Sequence, residues 1–233
     1  MRESIGAIAL LDEPTRRRLY ELVAASHREI GRDEAARALG INRELAAFHL
    51  DRLEDAGLLA TTYRRPPGRG GPGAGRPAKL YRRVEREISV SLPDRRYDVA
   101  ADVFAEGLER LAALEGADVV ERVIGGAARE RGRDVGVRVR DAAGLRPTQE
   151  RRRRALLDLL GRAGYEPDVD PGSGAVSLCN CPYRTVAESH RDLTCGANLA
   201  WAEGVVEGLG GAGLDPKLAP APGRCCVVFS AEG

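Results

Sequence analysis

The first 178 residues of this 233-residue chain contain no cysteine, and aromatic residues make up only 4% of it. The core must therefore be built mainly from Leu, Val and Ala. No apolar run approaches the roughly 18 residues that span a bilayer, and the N-terminus lacks the apolar core of a signal peptide. These absences predict a cytoplasmic protein with no membrane partner.

Lysine is almost missing as well, since Lys79 and Lys217 are the only two. Nearly all positive charge is therefore arginine. The formal net charge of +1 conceals a basic lobe balanced by an acidic one. The length suffices for one large domain or two small ones, each with its own core.

Cysteine is concentrated in three short segments near the C-terminus. In a cytoplasmic protein such a cluster indicates metal binding or redox sensing more than a disulfide framework. Thiols gathered from separate segments suit a soft metal centre. The five positions are Cys179, Cys181, Cys195, Cys225 and Cys226.

Local signals in the N-terminal region predict three helices, over residues 14–21, 32–39 and 43–55. Pro14 suits the first turn of the first helix, Gly40 suits the C-terminal end of the second, and Asn42 suits the N-cap of the third. Two helices joined by a short turn at a glycine form the helix-turn-helix pattern. The alternative is an unrelated small helical bundle.

The third predicted helix has two distinct faces. Its packing face carries Ala46, Leu50 and Leu53 together with His49, which we expect to be a core histidine. The opposite face would enter a DNA major groove, with residues near the helix start reaching base edges. The predicted DNA-facing residues are Asn42, Arg43, Glu44, Ala47 and Phe48, with Asp51 further along the same face.

Two strand-like segments follow, at 58–64 and 79–84, and a Gly/Pro-rich basic stretch separates them. A flexible cationic loop beside such a helix is typical of a wing that contacts phosphates or enters the minor groove. The alternative is a solvated linker. The basic residues predicted to contact DNA here are Arg64, Arg65, Arg69, Arg76 and Lys79.

Two segments of the N-terminal region also resemble a known family of proteins. The segment from Ile41 to Leu59, with its His-Leu-x-x-Leu-x-x-Ala-Gly-Leu string, and the segment Gly75-Arg-Pro-Ala-Lys-Leu-Tyr81 resemble the winged helix-turn-helix domain of ArsR-type bacterial regulators.

The middle of the chain predicts long amphipathic helices, over residues 94–115 and 118–140, and a further helix over 148–163. Their apolar faces need a partner. A DNA-binding protein would use them for two-fold dimerisation, which matches the two half-sites of a palindromic operator. The alternative is that they cover the C-terminal sheet.

The cysteine-containing region predicts a β-hairpin over 165–178, a helix from Pro182 to His190 and a helix over 193–209. Cys195 would lie in the first turn of the last helix, where the helix terminus lowers the thiol pKa. A terminal strand over 225–230 would place Cys225 and Cys226 on opposite faces, so that only one of them binds metal. The lack of Cys-x₂₋₄-Cys knuckles favours an iron–sulfur cluster over zinc, which remains the alternative.

The segments around Asn180-Cys-Pro-Tyr183, Cys195-x-x-Asn-Leu-Ala200 and Pro222-Gly-Arg-Cys-Cys-Val227 resemble the sensor half of the Suf repressor family. The resemblance implies a dimeric regulator that holds an iron–sulfur cluster, typically [4Fe–4S], and represses cluster-assembly genes. It implies Cys181, Cys195 and either Cys225 or Cys226 as ligands. For the fourth position the possibilities are Cys179, His190, Asp192 or an exogenous small ligand.

Together these features predict an α+β protein in three parts. Residues 1–90 form a winged helix-turn-helix DNA-binding domain, 91–147 a helical dimerisation region, and 148–233 an α/β iron–sulfur sensor domain. The predicted function is that of a homodimeric repressor that binds double-stranded DNA and whose affinity for DNA falls when the cluster is lost. The alternatives are a zinc site or thiol/disulfide switch in the same regulator and, least favoured, an enzyme with Cys195 as nucleophile.

Overall fold

The computed structural model describes residues 2–64, 77–85, 87–90, 97–144 and 147–231. The chain divides into two compact units, Met1–Arg95 and Arg96–Gly233. Both units combine helices with a small antiparallel sheet, so the predicted α+β class is confirmed. The finer division into three functional parts stays a prediction.

In the part of the first unit that the structure describes, four helices precede a β-hairpin. A short 3₁₀ turn at Leu10–Asp12 separates the first two helices. The helices are α1 (Arg2–Ala9), α2 (Pro14–Ala25), α3 (Arg32–Leu39) and α4 (Arg43–Asp55).

Local capping explains where these helices begin and end. The Glu13 carboxylate accepts hydrogen bonds from the backbone N–H groups of Thr15 and Arg16, which starts α2. Gly40 ends α3 in the left-handed conformation at φ 67°. The Asn42 side chain accepts from the backbone N–H of Leu45 at 2.7 Å and starts α4. The last two boundaries agree with the sequence-based prediction.

The sheet of the first unit has the strand order β1-β3-β2, all antiparallel. The strands are β1 (Ile30–Gly31), β2 (Leu59–Arg64) and β3 (Ala78–Arg83). Apolar side chains from α2, α4 and the sheet form one core, which includes the fully buried Leu19, Leu50 and Tyr81. His49 also lies on the buried face of α4, as predicted, with 7% of its surface exposed.

Within the described residues, the second unit contains five helices and four short strands. Its sheet has the order β4-β5-β7-β6 and is antiparallel throughout. The elements are α5 (Tyr97–Glu115), α6 (Ala117–Ala142), α7 (Gln149–Arg162), β4 (Pro167–Val169), β5 (Val176–Leu178), α8 (Arg184–Ser189), α9 (Arg191–Leu209), β6 (Leu214–Leu218) and β7 (Val227–Ala231).

Helices α6 and α9 touch backbone to backbone. A Cβ atom at Gly132 would overlap the carbonyl of Trp201, and one at Gly204 would overlap the carbonyl of Arg129. Only residues without a side chain allow helix axes to approach so closely. The contact consists of two small-residue pairs at four-residue spacing: Gly132 and Gly136 on α6, and Gly204 and Gly208 on α9.

Ion pairs border this glycine contact. Arg133 of α6 lies 2.6 Å from the Glu207 carboxylate of α9, and Arg129 binds both Glu203 and Glu207. The remainder of α9 packs on the sheet, where Val205 and Leu209 join Phe229 in the second core. Helix α6 thus packs on α9, whereas the sequence-based alternative placed the middle helices on the C-terminal sheet itself. The dimerisation role of these helices stays a prediction.

Three elements were absent from the sequence-based prediction: α1, β1 and β6. Strand β6 contains Pro216, which argues against a strand but is tolerated here because β6 lies at the sheet edge. The predicted start of the terminal strand at residue 225 is wrong, since β7 begins at Val227.

We expect Gly132→Ala to lower the free energy of unfolding of the second unit by about 3 kcal/mol, because its methyl group would force α6 away from α9. Trp201, the single tryptophan, lies at this contact and reports denaturant unfolding by fluorescence. The matched control is Gly126→Ala in the same helix, where a Cβ has no neighbour within 4 Å. The control should be neutral or stabilising by up to about 1 kcal/mol. Equal stability of both variants would contradict the proposed role of the glycine contact.

Candidate metal centre and nucleic-acid interface

The five thiols come from three regions of the second unit. Cys179 and Cys181 follow β5, Cys195 lies on α9, and Cys225 and Cys226 directly precede β7. All five carry thiol groups and none is in a disulfide bond. Four of them meet in two hydrogen-bonded pairs.

The first pair joins Cys181 and Cys225. The Cys225 thiol donates a hydrogen bond to the Cys181 sulfur and thereby lowers the pKa of Cys181 to about 6. The backbone N–H of Tyr183 and the charge of Arg184 act in the same direction. The same bond, together with burial, raises the pKa of the donor Cys225. This lowered pKa favours the thiolate form of Cys181, which is the form that binds metals.

The second pair joins Cys195 and Cys226. Burial, and then the hydrogen bond that Cys195 donates to Cys226, raise the pKa of Cys195 to about 12. The predicted lowering of this pKa by a helix terminus is wrong. Helix α9 begins at Arg191, earlier than predicted, so Cys195 is its fifth residue and lies beyond the first turn.

The two pairs also interact with each other. Cys181 acts electrostatically on Cys195, and Cys226 acts electrostatically on Cys225. Although both residues precede β7, Cys225 is buried and Cys226 is half-buried, so their side chains alternate in burial as residues on opposite faces of a strand do. Whether only one of them binds metal stays a prediction. Each of these two adjacent thiols contacts a thiol from a different segment.

Buried polar groups hold Cys225 in place. The Asn198 side-chain amide of α9 donates to the Cys225 sulfur at 3.4 Å, and the Tyr165 hydroxyl donates to the Asn198 carbonyl oxygen at 2.5 Å. The backbone N–H of Cys225 donates to the Leu178 carbonyl at 2.8 Å. Asn198 was not among the predicted site residues, although its place one helical turn after Cys195 could have indicated it.

The three protein residues considered as a fourth ligand occupy different environments. Cys179 is half-buried just after β5, and its backbone N–H donates to Glu166. The His190 ring lies 2.8 Å from the Glu109 carboxylate of α5, which engages one of its two nitrogens. Asp192 is exposed in the first turn of α9 and lines a pocket.

This pocket, of about 530 Å³, lies between α6, the start of α9 and the segment before β7. Cys195 and Cys226 contribute to its wall, beside Arg191 and Asp192. In the described part of the chain, no three His, Cys, Asp or Glu side chains converge tightly enough to hold a single metal ion.

In the first unit, the outward face of α4 is open at its N-terminal half. Phe48 is 57% exposed, Arg43 and Glu44 are exposed, and Ala47 is half-buried. Arg43 also pairs with Asp33 of α3 at 2.7 Å. Asn42 is exposed, and its side-chain oxygen is used as the helix cap.

The hairpin residues predicted to contact DNA differ in solvent exposure and in ion pairing. Arg64 is 71% exposed at the end of β2 and pairs with Glu29 at 2.8 Å. Lys79 is only 17% exposed, lies 2.8 Å from Asp51 and also binds Glu54. Arg65, Arg69 and Arg76 lie outside the described residues.

Lys79 belongs to a polar network centred on Asp51. The Asp51 carboxylate also accepts hydrogen bonds from the Tyr81 hydroxyl at 2.7 Å and from Arg32. Burial opposes ionisation of Asp51, but the bonds from Lys79, Tyr81 and Arg32 outweigh it and lower the pKa of that carboxyl group. The network ties the hairpin to α3 and α4, which gives Lys79 a structural role here.

Comparisons with known proteins identify no family: no family model, no curated protein and no solved structure matches this chain. As for membranes, none of the helices that the structure describes combines the length and apolar character needed to cross a bilayer.

Proposed function

We propose that this chain is a homodimeric transcriptional regulator that binds palindromic double-stranded DNA through its N-terminal unit and is controlled by an iron–sulfur cluster in its C-terminal unit. The observation that carries the proposal is the meeting of four thiols from three chain segments, in a chain whose other unit presents an open helix face beside a basic hairpin. We propose no enzymatic activity.

The donor set fits a cluster. Cys181, Cys195, Cys225 and Cys226 supply four thiols, the number that binds a [4Fe–4S] cluster. Zinc requires all its sulfurs about 2.3 Å from one point, and no such convergence occurs among the described side chains. A cluster spreads its ligands over several irons, so its ligand sulfurs stand farther apart than those around a single metal ion. These four residues would hold the cluster without Cys179, His190 or Asp192.

When bound, the cluster supplies a link that depends on iron, sulfide and redox state. It would join the segment before α8, helix α9 and the segment before β7 into one rigid body. The identity of the regulated genes, those for cluster assembly, follows the resemblance to the Suf repressor family.

The exposed face of α4 supports the DNA-binding part of the proposal. The Phe48 ring is 57% exposed on the surface of α4 and offers an apolar contact to a partner. Phe48 suits apolar contact with a thymine methyl group in the major groove, while Arg43 and Glu44 suit hydrogen bonds to base edges. The α3–α4 pair would act as the helix-turn-helix, and the hairpin with Arg64 as the wing.

Helix α5 supports the dimer. Tyr97, Phe104 and Leu111 recur at seven-residue intervals and are 75%, 70% and 43% exposed, with Leu114 at 82% in the same stripe. Apolar residues at heptad spacing form the seam of a two-helix coiled coil. The partner that fits is a second copy of α5, since two-fold pairing also matches a palindromic operator.

We expect anaerobic protein to contain about four iron and four sulfide ions per chain and to absorb visible light. Cys181→Ser and Cys195→Ser should each remove most of this iron, and Cys225→Ser and Cys226→Ser should do the same because both thiols are ligands. Cys179→Ser is the matched control and should retain the cluster. A colourless protein with one zinc ion per chain would contradict the cluster and support the zinc alternative.

Substitution of Phe104 by Glu should disrupt the dimer, because it buries an unpaired charge in the seam. The dissociation constant measured by analytical ultracentrifugation should rise by about 100-fold or more. Ala113→Glu places the same charge on the opposite, exposed face of α5 and should leave the dimer intact. A wild-type chain that is monomeric at micromolar concentration would refute this interface.

Operator sequences selected from a random duplex library should be palindromic and should bind the wild-type dimer. Phe48→Ala should weaken binding to the selected sequence by about 10- to 100-fold, with unchanged binding to unrelated DNA. Phe48→Leu should retain most of the affinity because it keeps an apolar contact. Failure to enrich any sequence would refute the DNA-binding proposal.

A further inference from the structure

The two thiol pairs share an arrangement that the proposed cluster does not explain. Cys195 and Cys226 line the same pocket, and Cys181 packs against the core cluster that contains Cys225. In each of these pairs one thiol, Cys226 or Cys181, is half-buried and the other is buried. An oxidant in solvent can therefore reach one member of each pair, and the second member lies next to it.

The adjacent thiols of Cys225 and Cys226 are held apart by their surroundings. Cys225 is 1% exposed and is fixed by Asn198 and by the backbone bond to Leu178. Cys226 instead lines the α6–α9 pocket together with Cys195. Since the two side chains have different partners, each is placed to bond with a distant cysteine and not with its neighbour.

We propose that the metal-free chain closes its four thiols as two specific disulfides, Cys181–Cys225 and Cys195–Cys226, when it meets a peroxide. The regulatory meaning of this step rests on the proposed cluster, because the disulfides occupy the four sulfurs that the cluster needs. The pairing itself rests on the thiol geometry and holds even if the chain carries no cluster.

The chemistry balances with hydrogen peroxide as the oxidant. The sulfur of the half-buried thiol attacks one peroxide oxygen, the O–O bond breaks, and a sulfenic acid and one water molecule result. The buried thiol then attacks the sulfenic sulfur, and a second water molecule leaves as the S–S bond forms. Each pair consumes one peroxide, and each disulfide is formed at the expense of two S–H bonds.

Oxidation would join by disulfide bonds the same three segments that the proposed cluster would join through iron. The segment before β7 becomes covalently joined both to the segment before α8 and to α9. Reduction by a dithiol would restore the four thiols, so the modification is reversible and keeps the centre ready for reloading.

The test uses the full chain, freed of metal by a chelator, reduced, and then treated with hydrogen peroxide. Intact mass should fall by the mass of four hydrogen atoms. Trypsin cleavage at the flanking Arg and Lys residues separates the thiols into peptides 163–184, 192–217 and 225–233. Without reduction, the first two should both be found linked to the third, as a single three-peptide assembly.

Single variants then assign the two bonds. Cys195→Ser should keep only the link between 163–184 and 225–233, and Cys225→Ser only the link between 192–217 and 225–233. Cys179→Ser is the control and should form both. Dimedone should trap the sulfenic acid at Cys181 when Cys225 is changed to Ser, and at Cys226 when Cys195 is changed to Ser.

Other products would overturn the proposal. A disulfide within 225–233, a Cys179–Cys181 disulfide within 163–184, or links between chains would each show that the paired thiols do not direct oxidation. Because the test uses metal-free protein and no DNA, its outcome is independent of the iron, sulfide and DNA measurements that test the proposed function.

Discussion

The second unit depends on the glycine contact between α6 and α9, because this contact sets how closely these two long helices approach. Any side chain at Gly132 or Gly204 would meet the backbone of the other helix. Helix α9 carries Cys195 and Asn198 near its start. The rest of α9 packs on the sheet, in which strand β7 directly follows Cys226. The helix thus connects a rigid backbone contact to the thiols, and a loosened contact would alter the spacing on which both thiol pairs rely.

In the first unit the corresponding constraint is the carboxylate of Asp51. It accepts bonds from α3, β3 and the Lys79 ammonium group, so a single side chain on α4 fixes the helix against the hairpin. The network uses one lysine and one arginine for structure. DNA contact by this unit would therefore fall to the exposed face of α4 and to other arginines, of which Arg64 is the described example. A partly satisfied ion pair can still face a phosphate, because exposed pairs are weak and exchange partners readily.

The sequence predicted those features that depend on neighbours in the chain. Caps at Gly40 and Asn42, the packing face with His49 and the approximate limits of α4, α7 and α9 all follow from short-range signals. The sequence could not show that β7 starts at Val227, because that boundary depends on pairing with the edge strand β6. It also could not show that Asp51 would meet Lys79, or that the thiols would pair across segments. Such contacts are set by tertiary packing, which local patterns do not encode.

The arrangement of the thiols as two pairs helps to explain why the proposed cluster would act as a regulatory sensor and not only stabilise the fold. A structural metal site has ligands with no better alternative than the metal. In this protein each proposed ligand interacts with a second proposed ligand, and the Asn198 side-chain amide donates a hydrogen bond to the Cys225 sulfur. The proposed cluster would have to replace these interactions, which would reduce the free energy gained on its binding. A smaller free energy of binding would make the cluster easier to release, and reversible release is what the proposed sensor requires.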